Sequence, residues 1–262
     1  MVELTSPRDQ DDLESSLSQD EVRQLEVSGE LHRVVDLTEE NPQLQLDVLP
    51  SLTPDAALLI APRWKLGVKR LVDVLVATLA LLVLAPLLLA TALAVKLSSP
   101  GRVLFGQRRV GKGGQEFYFY KFRSMGVNAE AERQSLLDLD ETSGPIFKIR
   151  EDPRLTLVGR FIRRASIDEL PQLWNVLRGE MCLVGPRPPI PAEVDDYSDW
   201  EFQRLAVKPG ITCIWQVSGR SELDFQTWVR MDIEYIEEWS LWFDIRLLAK
   251  TLPAVLSGRG AY

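Results

Sequence analysis

The segment Val74–Val95 runs for 22 residues without a charge, and only Thr78 and Thr91 interrupt its apolar character. As a helix it would reach about 33 Å, close to the ~30 Å hydrocarbon thickness of a bilayer. Two features bear on how such a helix would sit. Pro86 stands near its middle, where it removes a backbone hydrogen bond and bends the chain. Basic residues flank both ends, with Arg63, Lys65, Lys69 and Arg70 before the run and Lys96, Arg102, Arg108 and Arg109 after it. Positive flanks are held on the cytoplasmic side, so two of them favour a helix that enters, kinks at Pro86 and returns to the same face. A simple spanning helix stays open on these residues alone.

Charge divides the 262-residue chain unevenly. Residues 1–61 hold 14 Asp and Glu against 3 Lys and Arg, whereas residues 62–262 hold 24 acids and 27 bases. The first part, rich in Ser, Gln and Pro, shows no sustained helical or strand period and reads as an acidic, largely disordered tail with a transient helix near Asp20–Val27. It has no basic stretch leading into an apolar core, so no signal peptide is expected. The mildly basic remainder suits phosphorylated ligands and anionic lipid headgroups. It carries no nucleic-acid module, and a nucleic-acid partner is not expected. The only histidine, His32, lies in the tail. Histidine-based nucleophilic catalysis and histidine zinc sites are thereby excluded for the body. Cys182 and Cys213 lack metal spacing and sit in apolar, strand-like runs, which predicts buried free thiols.

After the apolar run the sequence predicts strands over Arg102–Gln107 and Glu116–Met125, joined by the turn Gly111-Lys112-Gly113-Gly114. That turn is a hairpin by the plainest reading and a phosphate cradle by a sharper one. Asn128–Leu139 reads as a polar helix, and Arg154–Arg164 as an amphipathic one with Leu155, Val158, Phe161 and Ile162 on its apolar side. Five of the seven tryptophans fall between Trp200 and Trp242. Around Trp239–Phe243 a core helix and an interfacial helix are equally compatible with the pattern.

The chemistry concentrates in Arg163-Arg164-Ala165-Ser166-Ile167-Asp168-Glu169-Leu170-Pro171. Ser166 and Glu169 have capping-box spacing, and Leu170, Leu173, Trp174 and Leu177 would give the helix a buried stripe, with Gly179 as its stop. Acids at a helix start need no catalytic explanation. Pro171, however, lacks the amide that would bond Ile167, so the helix could begin near Leu170 and leave both acids on the preceding turn. Arg163 and Arg164 would favour an ionised Asp168. Arg187, set among prolines in Gly185-Pro186-Arg187-Pro188-Pro189, has the rigidity that suits a phosphate clamp. Lys121, Arg123 and Arg220 add cations at strand ends or turns. Each alone is a plain surface charge. Together they resemble a diphosphate site in which Asp168 and Glu169 supply a nucleophile and a magnesium ligand.

From about Lys69 to Tyr262 the chain resembles the bacterial sugar transferases, monotopic polyprenol-phosphate phosphoglycosyl transferases. The resemblance rests on Ser99–Gly101 through Gln107–Gly111, Tyr120–Met125, Arg163–Asn175, Leu183–Pro188, Lys208–Thr212 and Trp215–Arg220, with a C-terminal stretch like that of members that start exopolysaccharide repeat units. It implies a helix-rich α/β body with short strands, a re-entrant helix broken at Pro86, and interfacial amphipathic helices. The domains would be the tail 1–61, the membrane helix 62–97 and a cytoplasmic catalytic domain 98–262. The implied reaction moves a hexose 1-phosphate from a UDP-sugar to undecaprenyl phosphate at the cytoplasmic face of the inner membrane, releasing UMP. In the family, the aspartate matching Asp168 is the covalent nucleophile, the glutamate matching Glu169 binds Mg2+, and the arginine matching Arg163 contacts substrate phosphate. Direct transfer without an adduct, and a non-catalytic scaffold for glycan assembly, remain as alternatives. Partners would be the two substrates and membrane lipid, with assembly proteins at the tail and a homodimer left open. The chain departs from the family at Ala85, where serine is common before the proline, and at Cys213, where glycine is common.

Overall fold

A computed structural model describes residues 56–132, 135–136, 149, 151–218 and 223–257. The tail up to residue 55, the transient helix expected within it, and Arg220 lie outside the described residues. The longer helices are α1 (Arg63–Val83), α2 (Ala85–Ser98), α3 (Leu157–Arg164), α4 (Gln172–Arg178), α5 (Phe225–Glu237) and α6 (Leu241–Ser257). The strands are β1 (Leu104–Val110), β2 (Glu116–Phe122), β3 (Cys182–Val184) and β4 (Gly210–Thr212). This is a helix-rich α/β body with short strands.

Among the described residues no single helix is long and apolar enough to cross a membrane; α1 and α2 pass that test together, bent by 62°. The bend falls at Leu84, with Pro86 in the first turn of α2, where its missing amide cannot extend the hydrogen-bond ladder of α1. Leu75, Leu79, Leu82, Leu89 and Leu93 project from the pair into the open.

β1 and β2 form an antiparallel hairpin across a Lys112–Gly114 turn, in a register that pairs Gln107 with Phe119 and Arg109 with Phe117. The plain hairpin reading of this turn holds. Residues alternate between the two faces of a strand, so Arg109, Phe119 and Lys121 share one face. β3 and β4 pair in parallel, Cys182 with Gly210 and Val184 with Thr212. The main core gathers Leu173 and Val176 of α4, Leu183 and Val184 of β3, Tyr235 and Ile236 of α5, Leu247 of α6, Phe119 and Ala77. A smaller core of Val95, Phe122 and Ile162 ties α2 to the hairpin and α3. A third holds Trp215 stacked on Trp228 at 4.2 Å.

Ala56–Ala61, counted with the tail by composition, join the body. Ala56 and Leu58 are buried in the main core, and the amides of Ala57 and Leu58 donate to the carbonyls of Glu237 and Ile236 at 3.0 Å, satisfying the free end of α5. Cys182 and Cys213 are buried free thiols, as their surroundings predict. The aromatic C-terminal region divides: Trp239 is core, while Trp242 is exposed.

Candidate active site

The dyad turn owes its shape to Pro171. Residues 167–169 form a single 3-10 turn, and α4 starts only after the proline. The expected capping box is absent: Ser166 adopts a left-handed backbone, φ 54°, and its side chain caps nothing. The later helix start foreseen from Pro171 is the one observed. Leu173 is buried as expected, but Trp174 is 53% exposed and stands outside the stripe, because the register set by Pro171 turns it outward. Gly179 ends α4 with φ 83°.

Within this turn Asp168 is 4% exposed. Burial pushes its carboxyl up to about 6, Glu169 adds to the rise, and the charges of Lys121 and Arg163 hold it back. Glu169 behaves oppositely. Burial would raise it too, but Lys121, whose Nζ donates to Oε1 at 2.7 Å, together with Arg187 and Arg163 brings it below the usual glutamate range. Two adjacent carboxylates thus titrate apart, the pattern by which acid–base and nucleophilic roles are separated.

Each cation is held by a different element. Lys121 projects from β2 with Nζ 5.3 Å from the ring centre of Phe119. Arg163 lies in the last turn of α3, which is pressed so closely on the chain that a Cβ at Gly159 would collide with the Ser124 carbonyl. Thr156 caps α3 by accepting from the Gly159 amide at 2.8 Å, and Ser124 Oγ accepts from Arg163 Nε at 3.1 Å. Leu157 and Phe161 of the same helix face outward.

Arg187 sits on a loop whose every carbonyl from Pro186 to Pro189 is tied. Gly210 N donates to Pro186 O at 2.8 Å, Arg204 to Arg187 O at 3.2 Å, Arg109 to Pro188 O at 2.9 Å and Val110 N to Pro189 O at 2.9 Å. Gly185 and Gly210 allow this, since a Cβ on either would strike the other backbone. Among the described residues the Arg187 guanidinium itself donates no hydrogen bond; the loop is rigid, and its charge acts on Glu169 and Asp232 only through space.

Arg123, expected in the phosphate set, is used elsewhere. Its guanidinium donates to the carbonyls of Pro100 and, at 2.7 Å, Ser99, closing the C-terminal end of α2. A cation at a helix C-terminus satisfies free carbonyls and the dipole, which accounts for its place. Arg109 is the residue the motif reading missed. It is buried with its carbon Cζ 5.3 Å from the centre of the Phe119 ring that Lys121 also approaches. Burial first, then the like charge of Arg187, lowers it to about 9, while Glu193 and Glu169 act against the fall. Its alternation with Gln107 on β1, facing Phe119 and Lys121, was the available signal.

Residues 64–258 match the family model described as bacterial sugar transferase. The chain is 51% identical over 162 residues to the galactosyl transferase CpsE of Streptococcus agalactiae, covering 62% of this chain and 36% of that protein. It is 42% identical over 207 residues to the undecaprenyl-phosphate galactose phosphotransferase of Salmonella typhimurium, 78% of this chain and 43% of that one. Against the exopolysaccharide production protein ExoY of Rhizobium meliloti it is 41% identical over 198 residues, 74% of this chain and 88% of ExoY. The chain therefore spans less than half the length of the first two relatives and most of the third.

Proposed function

This chain belongs to the bacterial sugar transferase family, and on that premise we propose that it transfers a hexose 1-phosphate from a UDP-sugar to undecaprenyl phosphate. The step would begin an exopolysaccharide or related glycan. One observation carries the reading: a turn with Asp168 buried and Glu169 partly exposed faces Lys121, Arg163 and an Arg187 that donates no hydrogen bond among the described residues, each fixed from a separate element. Such a site has positive charge to spare and suits a diphosphate.

In the proposed sequence an Asp168 carboxylate oxygen attacks the phosphorus that carries the sugar. The bond from that phosphorus to the bridging oxygen breaks, and UMP departs with both bonding electrons. A phosphate oxygen of undecaprenyl phosphate then attacks the same phosphorus, the aspartyl–phosphorus bond breaks, and Asp168 is restored. Splitting the transfer in two replaces one difficult encounter with two easier ones. Lys121 and Arg163 orient the diphosphate, and Arg187 faces the charge that builds on its oxygens.

The donor set also fits Mg2+. Glu169 and Asp168 are hard oxygen ligands, and no group of three His, Cys, Asp or Glu gathers among the described residues to enclose an ion. Magnesium takes one or two carboxylates and completes its shell with phosphate oxygens and water. Glu169, kept ionised, is the proposed ligand; bound there, the ion would neutralise phosphate and leaving-group charge. The bent α1–α2 pair, with its outward leucines, supports a re-entrant insertion from the cytoplasmic face of the inner membrane.

The test is UMP release by the chain in lipid vesicles, with Mg2+, undecaprenyl phosphate and a panel of UDP-hexoses. Release with one sugar that disappears in Asp168→Ala supports the reading. Equal release from a folded Asp168→Ala protein would overturn it.

A further inference from the structure

The first turns of α1 carry a polar cluster that the proposed chemistry does not use. Lys69, which composition places among exposed flanking charges, is buried. Its ammonium donates to Asp244 Oδ2 at 2.6 Å, to Val184 O at 3.0 Å and to the Tyr235 hydroxyl at 3.2 Å. That hydroxyl lies 2.9 Å from the same Val184 oxygen and 2.7 Å from Asp244 Oδ1, its one proton serving one acceptor at a time. Trp239 Nε1 donates to Asp244 Oδ1 at 3.2 Å. One turn along α1, Asp73 Oδ1 accepts the Leu183 amide at 3.0 Å. Arg70, on the neighbouring face, donates to Val176 O at 2.6 Å and Leu177 O at 2.9 Å.

The acceptors lie on the two pieces of chain that carry the site. Val184 immediately precedes the Gly185–Pro189 loop of Arg187, and Val176 and Leu177 end the helix that begins just after the dyad turn. The gripping helix is also the one whose later turns expose Leu75, Leu79, Leu82 and Val83. Stability alone does not require such a cluster, since apolar residues of similar shape hold a helix at least as well as a buried ion pair. What apolar packing lacks is a directional bond to one particular carbonyl.

We propose that Lys69, with Tyr235 and Asp244, is a positioning residue for the Arg187 loop, so that the seating of α1 sets where the phosphate clamp stands relative to Asp168. The proposal rests on the phosphoglycosyl-transfer reading and adds to it a coupling between the membrane hairpin and the reaction. Loss of the Lys69 bond to Val184 O would leave the Arg70 contacts to α4, and with them the dyad, in place, and the clamp out of place.

The test uses the full chain in phosphatidylethanolamine–phosphatidylglycerol vesicles containing undecaprenyl phosphate, with UDP-galactose or UDP-glucose. Lys69→Met alone would strand the Asp244 charge, so the variants are Tyr235→Phe and the neutral double change Lys69→Met with Asp244→Asn. The expected result is a kcat lower by about 10-fold and about 100-fold respectively, with the KM for the nucleotide sugar within about threefold. Vesicle binding should be unchanged. Hydrogen exchange should rise across residues 183–190 and stay as in the parent across 225–233. A folded double variant with kcat within about twofold of the parent would overturn the proposal. An exchange increase spread evenly over the body would also overturn it, because that is the mark of general loosening. If the parent releases no UMP from either sugar, it is the reaction that fails, and exchange then decides alone: an increase confined to 183–190 keeps the positioning claim, and none removes it.

Discussion

Two charge clusters lie in the same body and are built on opposite terms. Arg204 and Asp232 meet at 2.5 Å, both buried, and Tyr197 accepts the other arm of the guanidinium at 2.8 Å. Each charge there has its counterpart within the protein. Around Asp168 and Glu169, by contrast, stand Lys121, Arg163 and Arg187, three cations for two carboxylates, and Arg187 acts on Glu169 only through space, without a hydrogen bond. A neutralised pair is a device of the fold. A surplus of fixed positive charge beside a strained turn, where Ser166 holds a left-handed backbone, has no structural use and points to an anionic ligand.

The sharpest way to break this contrast is at Asp168. Asp168→Asn should abolish turnover and yet make the protein more stable at neutral pH. The folded carboxyl, at about 6, binds its proton more tightly than the unfolded one near 3.8, so the folded state holds more protons between these values. Stability therefore falls as pH rises through that window, and the ionised group carries a penalty of about 3 kcal/mol above it, which the amide removes. Denaturant midpoints at pH 5 and pH 8, compared with the parent, read this out. A loss of stability at pH 8 would contradict it.

Arg204→Met should do the reverse. It strands a buried Asp232 and costs about 3–5 kcal/mol in chemical denaturation. Arg187→Ala should leave the denaturation midpoint close to that of the parent while lowering kcat/KM by about 10²–10³, the scale of losing one preorganised charge-stabilising donor. If Arg187→Ala destabilises as much as Arg204→Met, the division between the clusters is wrong. The pH profile sharpens it further. Because the nucleophile must be ionised, kcat/KM should fall about tenfold per pH unit below about 6 and level above it, and Asp232, which burial also raises to about 6, should leave no mark on that profile. The smallest effect is expected at the surface: Trp174→Ser should change stability by less than about 0.5 kcal/mol.

Much of this was legible before any coordinates. The hairpin, the stop at Gly179, the buried thiols and the rigid proline loop follow from local chemistry, and Pro171 alone announced that the dyad would precede its helix. What could not be read was which cation goes where. Arg123 and Lys121 lie two residues apart and looked alike, but Lys121 belongs to β2 and reaches Glu169, whereas Arg123 stands just past the end of that strand and closes the end of α2. Lys69 and Arg70 read as flanking positive charge for a membrane helix, and both are spent on the body. Arg109 looked like one more member of that flank. Long-range pairing decides such cases, and a linear pattern of charge carries no record of the residues 24 to 175 positions away that receive it.

The most direct measurement is to mix the chain with Mg2+ and a radiolabelled UDP-hexose in the absence of undecaprenyl phosphate, quench in acid and digest. Label retained on the peptide that contains Asp168, absent from Asp168→Asn and released as the lipid-linked sugar when undecaprenyl phosphate is added, is the expected result. Turnover with both substrates but no label on that peptide under any quench would contradict a covalent role for Asp168 and favour direct transfer between them.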